Sequence, residues 1–448
     1  MRFCRSSMNC REFDSCFPFK FLSAFLIVAA LLPSLCADAQ PRTDVFLKKL
    51  LKKEKDSLLQ NVLDHPDTYR YQLVYTQIDR DGKNQPTFIN FYYQFDSLRY
   101  FNPASTVKLP LALLTLEKLH GLEKYGVNLN TPVKIDSSYS GQTALYSDST
   151  SENGLPSMAH FIKKVFLISD NIAYNRMYEF LGQQAINRRL HAMGYPDVRI
   201  TRRFVRMNEV ENRHTNAMRF VTSDGTLLYQ QPPAYNADAF NFAHINKMGD
   251  AHYANDSLIH EPIDFTKANN LTVHHLQQLL QTALFPESVD PTKRFALTPT
   301  DYEFLYRYLS QYPSETDYPK YDTTVYFDSY VKFFFKDGGK YLPPYVRVFN
   351  KVGWAYGCMT DVSYIVDFKN KIEFMLTLTL YVNSDGVMND DKYDYDTIGS
   401  PFFYKLGQVF YHHELNRKRK FIPDLSRFQM QYKKQSNDGR VAIKEADN

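Results

Sequence analysis

Ser105 and Lys108 are the two residues whose types and spacing most directly suggest chemistry. They precede the apolar stretch Leu109 to Leu119, which predicts a helix that begins near the serine. Because residues i and i+3 share one face of a helix, the lysine would lie one turn beyond the serine on that face. A serine hydroxyl becomes an effective nucleophile only when a neighbouring base takes its proton. The pair therefore predicts acyl transfer, with Ser105 as nucleophile and Lys108 as base.

The same Ser-x-x-Lys pattern occurs a second time, at Ser329 and Lys332, where no long amphipathic helix follows. At ordinary serine and lysine frequencies, a chance match is expected in a chain of 448 residues. We therefore expect the Ser329 copy to have no function, and the Ser105 copy needs support from other motifs.

The first supporting motif is Ser169-Asp170-Asn171, which ends an apolar helix, with Asn175 four positions further along the chain. Taken alone, the motif indicates a turn as readily as a functional site, because Ser, Asp and Asn all favour turns. It gains weight only from its position between two other motifs.

The second supporting motif is Lys351-Val352-Gly353, which lies in an extended segment and is followed by Trp354. Taken alone, this motif indicates an ordinary edge strand that carries a solvated lysine. In chain order, the three motifs together resemble the class A β-lactamase and penicillin-binding protein superfamily of serine hydrolases. The resemblance extends from about Tyr69 to Leu415.

The resemblance implies an α+β fold, an α/β sandwich of the β-lactamase/transpeptidase type. In that fold a five-stranded antiparallel sheet is covered by N- and C-terminal helices, and an all-helical lobe is inserted between the halves of the sheet. The lobe would span roughly residues 105–345, and a polar segment without clear periodicity, residues 222–269, would be an insertion in it. The domain would occupy residues 40–432, followed by a polar disordered tail, residues 433–448.

The resemblance also implies a role for each motif residue. Ser105 would be acylated, Lys108 would be its general base, and Ser169 would protonate the leaving nitrogen. Asn171 would bind the substrate amide, and Lys351 would attract a substrate carboxylate. The N–H groups of Ser105 and Trp354, beside Gly353, would form the oxyanion hole. Asp170 would organise its own turn, and Asn175 would anchor a neighbouring loop.

Two positions depart from the family pattern. Val352 stands where the family usually has Thr or Ser, so no side-chain hydroxyl is available there for a substrate carboxylate. Trp354 is large for its position, and we expect its indole to narrow the cleft or to offer a stacking surface.

A third departure concerns the glutamate that activates water for deacylation in class A enzymes. The expected region, residues 206–213, lacks the usual spacing, and both Glu209 and Glu211 are candidates. The alternative is that both side chains are solvated, as surface glutamates usually are. Without such a base the enzyme would acylate readily and turn over slowly, like a penicillin-binding protein.

The first thirty-nine residues form a predicted signal peptide, because arginines precede the apolar run Phe21 to Leu32 and a small-x-small site ends at Ala39. Translation could start at Met1 or Met8, and a lipid-modified Cys36 is the alternative to cleavage. Of five cysteines, only Cys358 would remain after cleavage, so we expect no intrachain disulfide. We therefore expect an exported, periplasmic or secreted protein without a membrane span.

The net charge of +4 is small for 448 residues and argues against a nucleic-acid binder. No zinc-ligand spacing appears, and the resemblance implies neither metal nor cofactor. We expect a monomer that acts on a small molecule or a peptide.

Three functions remain open on the sequence. The first is a serine hydrolase that acts through an acyl-serine intermediate, with β-lactam hydrolysis and antibiotic resistance as one form of it. The second is a D-alanyl-D-alanine peptidase that acts on cell-wall peptides. The third is a catalytically silent surface protein that uses the same fold for binding.

Overall fold

The computed structural model describes residues 41–446, so the predicted signal peptide lies outside the described residues. The helices are α1 Val45–Leu51, α2 Ser57–Asp64, α3 Pro66–Tyr69, α4 Lys108–His120, α5 Met158–Leu167, α6 Asn171–Leu181, α7 Gln183–Ala192, α8 Glu209–Arg213, α9 Val273–Leu284, α10 Pro299–Ser310, α11 Phe333–Lys336 and α12 Ser400–Asn416. The strands are β1 Gln72–Arg80, β2 Pro86–Tyr93, β3 Val133–Ile135, β4 Met218–Val221, β5 Leu227–Gln231, β6 Lys247–Met248, β7 Ala251–Ala254, β8 Ser257–Ile259, β9 Ile263–Asp264, β10 Val346–Ala355, β11 Cys358–Asp367, β12 Ile372–Tyr381 and β13 Val387–Met388. Between residues 41 and 446, no helix combines the length and the apolar character that a bilayer crossing needs.

The central sheet has five strands in the order β10-β11-β12-β1-β2, and every neighbouring pair is antiparallel. The β1–β2 hairpin closes through Asp81, whose Oδ1 accepts the N–H groups of Lys83 and Gln85, both at 2.8 Å. Strands β10, β11 and β12 pair in chain order, and the β1–β12 pair joins the N-terminal hairpin to these C-terminal strands. The α+β fold with a five-stranded antiparallel sheet, predicted from the sequence, is confirmed.

The sheet buries both of its faces, because side chains alternate between faces along each strand. On β10, Val348 and Val352 join an apolar core that the N-terminal helices, α11 and α12 complete. Phe349, one residue away from Val348, joins the opposite core, which α4, α5, α6, α9 and α10 complete. The motif strand β10 therefore contributes side chains to two apolar cores, one on each face of the sheet.

The lobe between β2 and β10 differs from the all-helical expectation, because short strands pair within it. β3, β4 and β5 form one small sheet, and β6 pairs with β9. β7 and β8 form a hairpin, and β7 also pairs with β13, a short strand that follows β12 in the chain. The predicted insertion, residues 222–269, thus consists of short strands and loops, and it contacts a late part of the chain.

Two terminal segments also differ from expectation. Apolar residues at helical spacing predict a single helix from Phe46 to Leu63. The structure divides it into α1 and α2, because the side chain of Asp56 caps a new helix by accepting the N–H of Leu59 at 3.0 Å. The tail expected to be disordered has ordered contacts as far as residue 446. Ile443, for example, exchanges backbone hydrogen bonds with Lys320 and Asp322, both of 2.9 Å.

Candidate active site

Ser105 lies in the short 3-10 turn that leads directly into α4. Asn102 Oδ1 accepts the N–H of Ala104 at 2.9 Å, and the carbonyl of Pro103 accepts the hydroxyl of Thr106 at 2.6 Å. Ala104 has a φ of +42°, a region that residues other than glycine rarely adopt. The hydrogen bonds hold this strained backbone, so that the half-buried Ser105 is fixed at the mouth of the helix.

Lys108 begins α4 and is completely buried. Its Nζ donates to Asn171 Oδ1 at 2.8 Å and to the carbonyl oxygen of Ser169, and it lies 3.4 Å from Ser169 Oγ. Ser169 itself has a φ of +70°, which turns its carbonyl toward the lysine at the junction of α5 and α6. The structure therefore brings the first two sequence motifs into direct contact.

Lys351, on strand β10 of the sheet, also contacts the hydroxyl of Ser169. Its Nζ lies 2.8 Å from Ser169 Oγ and 2.7 Å from the carbonyl oxygen of Val352. Because Ser169 and Lys351 are also buried, Ser169 Oγ is held between two lysines out of contact with bulk solvent. All three motifs thus meet around one serine hydroxyl.

Burial sets the charge of these lysines. It lowers the pKa of Lys108 well below its ordinary value, the charge of Lys351 lowers it further, and Asp170 partly offsets both effects. Burial also lowers the pKa of Lys351 to about 7, against the stabilising charge of Asp361. The lowered pKa of Lys108 favours the neutral amine, which is the form that can accept a proton.

Gly353 allows β10 to approach the turn that carries Ser105. A Cβ atom on Gly353 would lie 2.6 Å from the carbonyl oxygen of Pro103 and 2.8 Å from the backbone nitrogen of Ser105. Both atoms belong to backbone, so they could not move aside as a flexible side chain would. Only glycine fits at this contact, which brings the strand beside the predicted oxyanion-hole donor of Ser105.

The structure places Val352 and Trp354 away from the cleft, contrary to what we expected of their side chains. Val352 is 1% exposed and belongs to the core between the sheet and the terminal helices. The Trp354 ring packs edge-on against Phe333 and Tyr330, at centroid distances of 5.7 and 6.2 Å, on the same face of the sheet. The indole therefore does not narrow the cleft. The backbone N–H of Trp354 is the group of this residue that could contribute to the oxyanion hole.

Asp170 has the structural contacts that the resemblance implies. Its side chain caps α6 by accepting the N–H of Ala173 at 2.7 Å, and it pairs with Lys164 at 3.2 Å. Asn175, one turn into the same helix, anchors a loop, because its Oδ1 accepts the N–H of Phe204 at 2.8 Å. The residue that this anchor positions is thus Phe204, whose ring centroid lies 5.1 Å from Lys108 Nζ.

Glu209 and Glu211 are not brought to Lys108, so these contacts do not support either as the deacylation base. Asn208 and Glu211 form a capping box that starts α8, and Glu211 uses its carboxylate to accept the N–H of Asn208 at 2.7 Å. Glu209 pairs with Lys267 at 3.0 Å, which lowers the pKa of its carboxyl. An aromatic ring faces Lys108 from this loop where a carboxylate was expected.

The second Ser-x-x-Lys copy is structural. Ser329 Oγ donates to the carbonyl of Gly339 at 2.6 Å. Lys332 Nζ is buried and donates to Asn350 Oδ1 at 2.6 Å and to the carbonyl of Val348 at 3.0 Å. The lysine thus fastens the segment before α11 to β10, one residue away from Lys351.

An open cavity of about 950 Å³ adjoins the Ser105 turn and is lined by Ala104, Phe204, Ala355 and Tyr356. The β7–β8 hairpin closes its far side with His252 and Asp256. Neither Phe204 nor this wall was predicted from the sequence to be part of the site. No motif marks them, because they come to the cleft only through tertiary contacts of loops.

Part of the chain is similar to a known protein family. Residues 57–229 match the family model described as "Beta-lactamase enzyme family". No curated protein sequence matches the chain. Among solved structures, a β-lactamase from Xanthomonas campestris pv. campestris is similar, with 15% identity, a TM-score of 0.43, and coverage of 79% of this chain and 97% of that one. A β-lactamase from Burkholderia ambifaria has 15% identity, a TM-score of 0.42, and coverage of 79% and 99%.

Proposed function

We propose that the chain is a serine hydrolase of the β-lactamase-like superfamily, and that it cleaves an amide or ester through an acyl intermediate on Ser105. The observation that carries this proposal is the meeting of Lys108 and Lys351 on Ser169 Oγ, beside the turn that holds Ser105. A buried neutral amine, a hydroxyl that can pass protons and a nucleophile at a helix mouth are the parts that acyl transfer needs.

Acylation follows from these positions. The Lys108 amine accepts the proton of Ser105 as the serine oxygen attacks the substrate carbonyl carbon. The resulting oxyanion is bound by the backbone N–H groups of Ser105 and Trp354, and loss of one such donor costs about 10²–10³-fold in rate. When the tetrahedral intermediate collapses, Ser169 protonates the leaving nitrogen and recovers a proton through Lys108. The products are the acyl-serine ester and a free amine.

Deacylation is the slow step in this proposal. Phe204 faces Lys108 from the loop that Asn175 anchors, and a phenyl ring cannot activate water. Glu209 and Glu211 are engaged with Lys267 and Asn208, so neither replaces it. This observation favours the second candidate, a penicillin-binding-protein-like D-alanyl-D-alanine peptidase, over a fast β-lactamase.

The test is covalent labelling of the nucleophile. We expect a fluorescent penicillin or a serine-reactive fluorophosphonate to add once to the wild type and not to Ser105→Ala, a loss of at least about 10³-fold in rate. Ser329→Ala is the matched control, because it removes the serine of the other Ser-x-x-Lys copy, and it should label like the wild type. Equal labelling of Ser105→Ala, or no labelling of the wild type by either class of probe, contradicts the proposal.

The lifetime of the adduct separates the candidate functions. We expect intact-mass analysis of the penicillin adduct to show a stoichiometric acyl-enzyme that persists long after unbound penicillin is removed. An adduct that never accumulates while penicillin is consumed would indicate a fast β-lactamase. Such an enzyme would need a deacylation base other than the groups that face Lys108 in this structure. A wild type that carries no adduct and consumes no substrate would favour the silent binding protein.

A further inference from the structure

The cavity beside Ser105 has one property that acyl transfer alone does not explain, which is its positive wall. Arg202 and Arg206 line it from the loop on either side of Phe204, and both are exposed. Within residues 41–446, no carboxylate forms an ion pair with either guanidinium. Arg206 has only a 3.4 Å hydrogen bond to the amide oxygen of Asn255.

The other titratable groups on this wall do not neutralise it. His252 is held through Nδ1, 2.7 Å from the carbonyl oxygen of Glu261, so its Nε2 remains available. Asp256 lies in the turn of the β7–β8 hairpin and supplies one negative charge against the two guanidinium groups. The cavity therefore presents a net positive surface to whatever occupies it.

The position of the cavity indicates which part of a substrate would enter it. Its lining includes Ala104, the residue before Ser105, and Phe204, whose ring faces Lys108, but none of the four side chains of Ser105, Lys108, Ser169 and Lys351. Ser169 is the group that protonates the leaving nitrogen, so the leaving group lies toward the two lysines. The acyl part of the substrate consequently extends into the cavity, whose volume of about 950 Å³ accommodates a substituent of several groups.

We propose that Arg202 and Arg206 bind a carboxylate on the acyl part of the substrate, so that the enzyme prefers anionic acyl groups. This inference rests on the proposed acylation of Ser105. Guanidinium groups suit the task because they bind carboxylates through two parallel hydrogen bonds and keep their charge at every accessible pH. The insertion that carries the β7–β8 hairpin then has a function, because it closes the cavity around the bound carboxylate.

The experiment uses two penicillins that differ by a single carboxylate on the acyl side chain, benzylpenicillin and carbenicillin. We expect the full-length wild type to be acylated faster by carbenicillin, as measured by intact mass over time. The double variant Arg202→Gln/Arg206→Gln should lower this preference about five- to tenfold, because exposed charge pairs are weaker than buried ones. Added salt should lower the preference of the wild type in the same direction.

Arg307→Gln is the matched control, since Arg307 is a partly exposed arginine on α10 that does not line the cavity. It should keep the wild-type preference. A preference that is unchanged in the double variant, or a wild type that favours benzylpenicillin, overturns the inference and leaves acylation of Ser105 intact. A wild type that the fluorophosphonate labels but neither penicillin acylates overturns the inference alone. A wild type that reacts with none of the three compounds overturns the proposed function as well, so the two failures are distinguishable.

Discussion

At the scale of single residues, Ser169 Oγ is the atom on which the site depends. Lys351 Nζ contacts it at 2.8 Å and Lys108 Nζ at 3.4 Å, so the two amines share one hydroxyl between them. The charge of Lys351 lowers the pKa of Lys108, so protonation of Lys351 helps to keep Lys108 neutral. In the proposed mechanism, Lys351 would therefore help to set the basicity of Lys108 as well as attract a substrate.

That relation predicts a change in the pH dependence of acylation. Below the pKa of Lys108 the amine is protonated and cannot accept the serine proton, so the rate falls on the acid side. Lys351→Met removes the charge that lowers this pKa, and the acid limb should move to higher pH by on the order of one unit. A neutral fluorophosphonate is the suitable probe, because its binding does not need the charge of Lys351.

Lys49→Met is the control for this measurement, because Lys49 is an exposed lysine on α1, at the terminal side of the sheet. Its acid limb should coincide with that of the wild type. An acid limb that stays in place in Lys351→Met would mean that Lys351 does not control the basicity of Lys108.

The contacts of single residues were predictable only where a motif fixed them. Ser105, Lys108, Ser169 and Lys351 lie together as the order of motifs implied. The deacylation residue was not predictable, because a capping box draws Glu211 into α8 and leaves Phe204 at the anchored position. A capping box competes with any catalytic use of the same carboxylate, and the sequence alone does not reveal which use prevails.

At the scale of elements, the contact between β10 and the turn before α4 positions the nucleophile. The strand comes so close at Gly353 that an added Cβ would lie 2.8 Å from the backbone nitrogen of Ser105. This distance is shorter than ordinary van der Waals contact, so either the strand or the turn would have to move. Either movement would displace the donors that bind the oxyanion.

We therefore predict that Gly353→Ala lowers the acylation rate by about 10²-fold, since a displacement near 1 Å at a reacting centre costs about that much. Rates of fluorophosphonate labelling measure the effect, and thermal unfolding shows whether the fold persists. Gly82→Ala is the matched control, because its Cβ would meet only ordinary contacts, the nearest at 3.5 Å to Phe421. A Gly353→Ala variant with a wild-type rate would show that the turn tolerates the displacement.

The elements themselves were predictable where hydrophobic periodicity is strong. The sequence pattern predicts strands at residues 346–353, 360–367 and 372–382, and these match β10, β11 and β12 to within a few residues. The division of the first helical segment into α1 and α2 was not predicted, because it depends on the helix cap at Asp56 and hydrophobic periodicity does not indicate caps. Short strands such as β7 and β13 were not predictable, because their pairing joins distant polar segments and depends on tertiary context.

At the scale of the whole molecule, the C-terminal tail supports the segment before Ser169. Ile443 packs against a small apolar cluster that contains Tyr321, Leu167 and Ile168. Further polar contacts fasten the tail, among them the backbone hydrogen bond from Gln435 to Ser314, of 2.8 Å. A segment remote in sequence thus stabilises the junction of α5 and α6.

Removal of the tail should therefore affect both stability and reactivity. A chain that ends at residue 432 loses several backbone hydrogen bonds, each worth roughly 0.5–1.5 kcal/mol. We expect its unfolding temperature to fall by about 2–5 °C and its acylation to slow, because the Leu167–Ile168 segment loses its cover. A chain that ends at Lys444, which keeps Ile443, is the control and should behave like the full chain. A chain ending at residue 432 that unfolds and reacts like the full chain would show that the tail contributes nothing.

The distance along the chain between the two lysines that meet on Ser169 has a consequence for folding. Lys351 and Ser169 are 182 positions apart, and Lys108 and Ser169 are 61 apart, so no local fragment can assemble the site. Closing such long loops makes the contact a late and cooperative event. Covalent labelling of Ser105 in a denaturant titration would then count native molecules alone, and the enzyme would carry its own folding reporter.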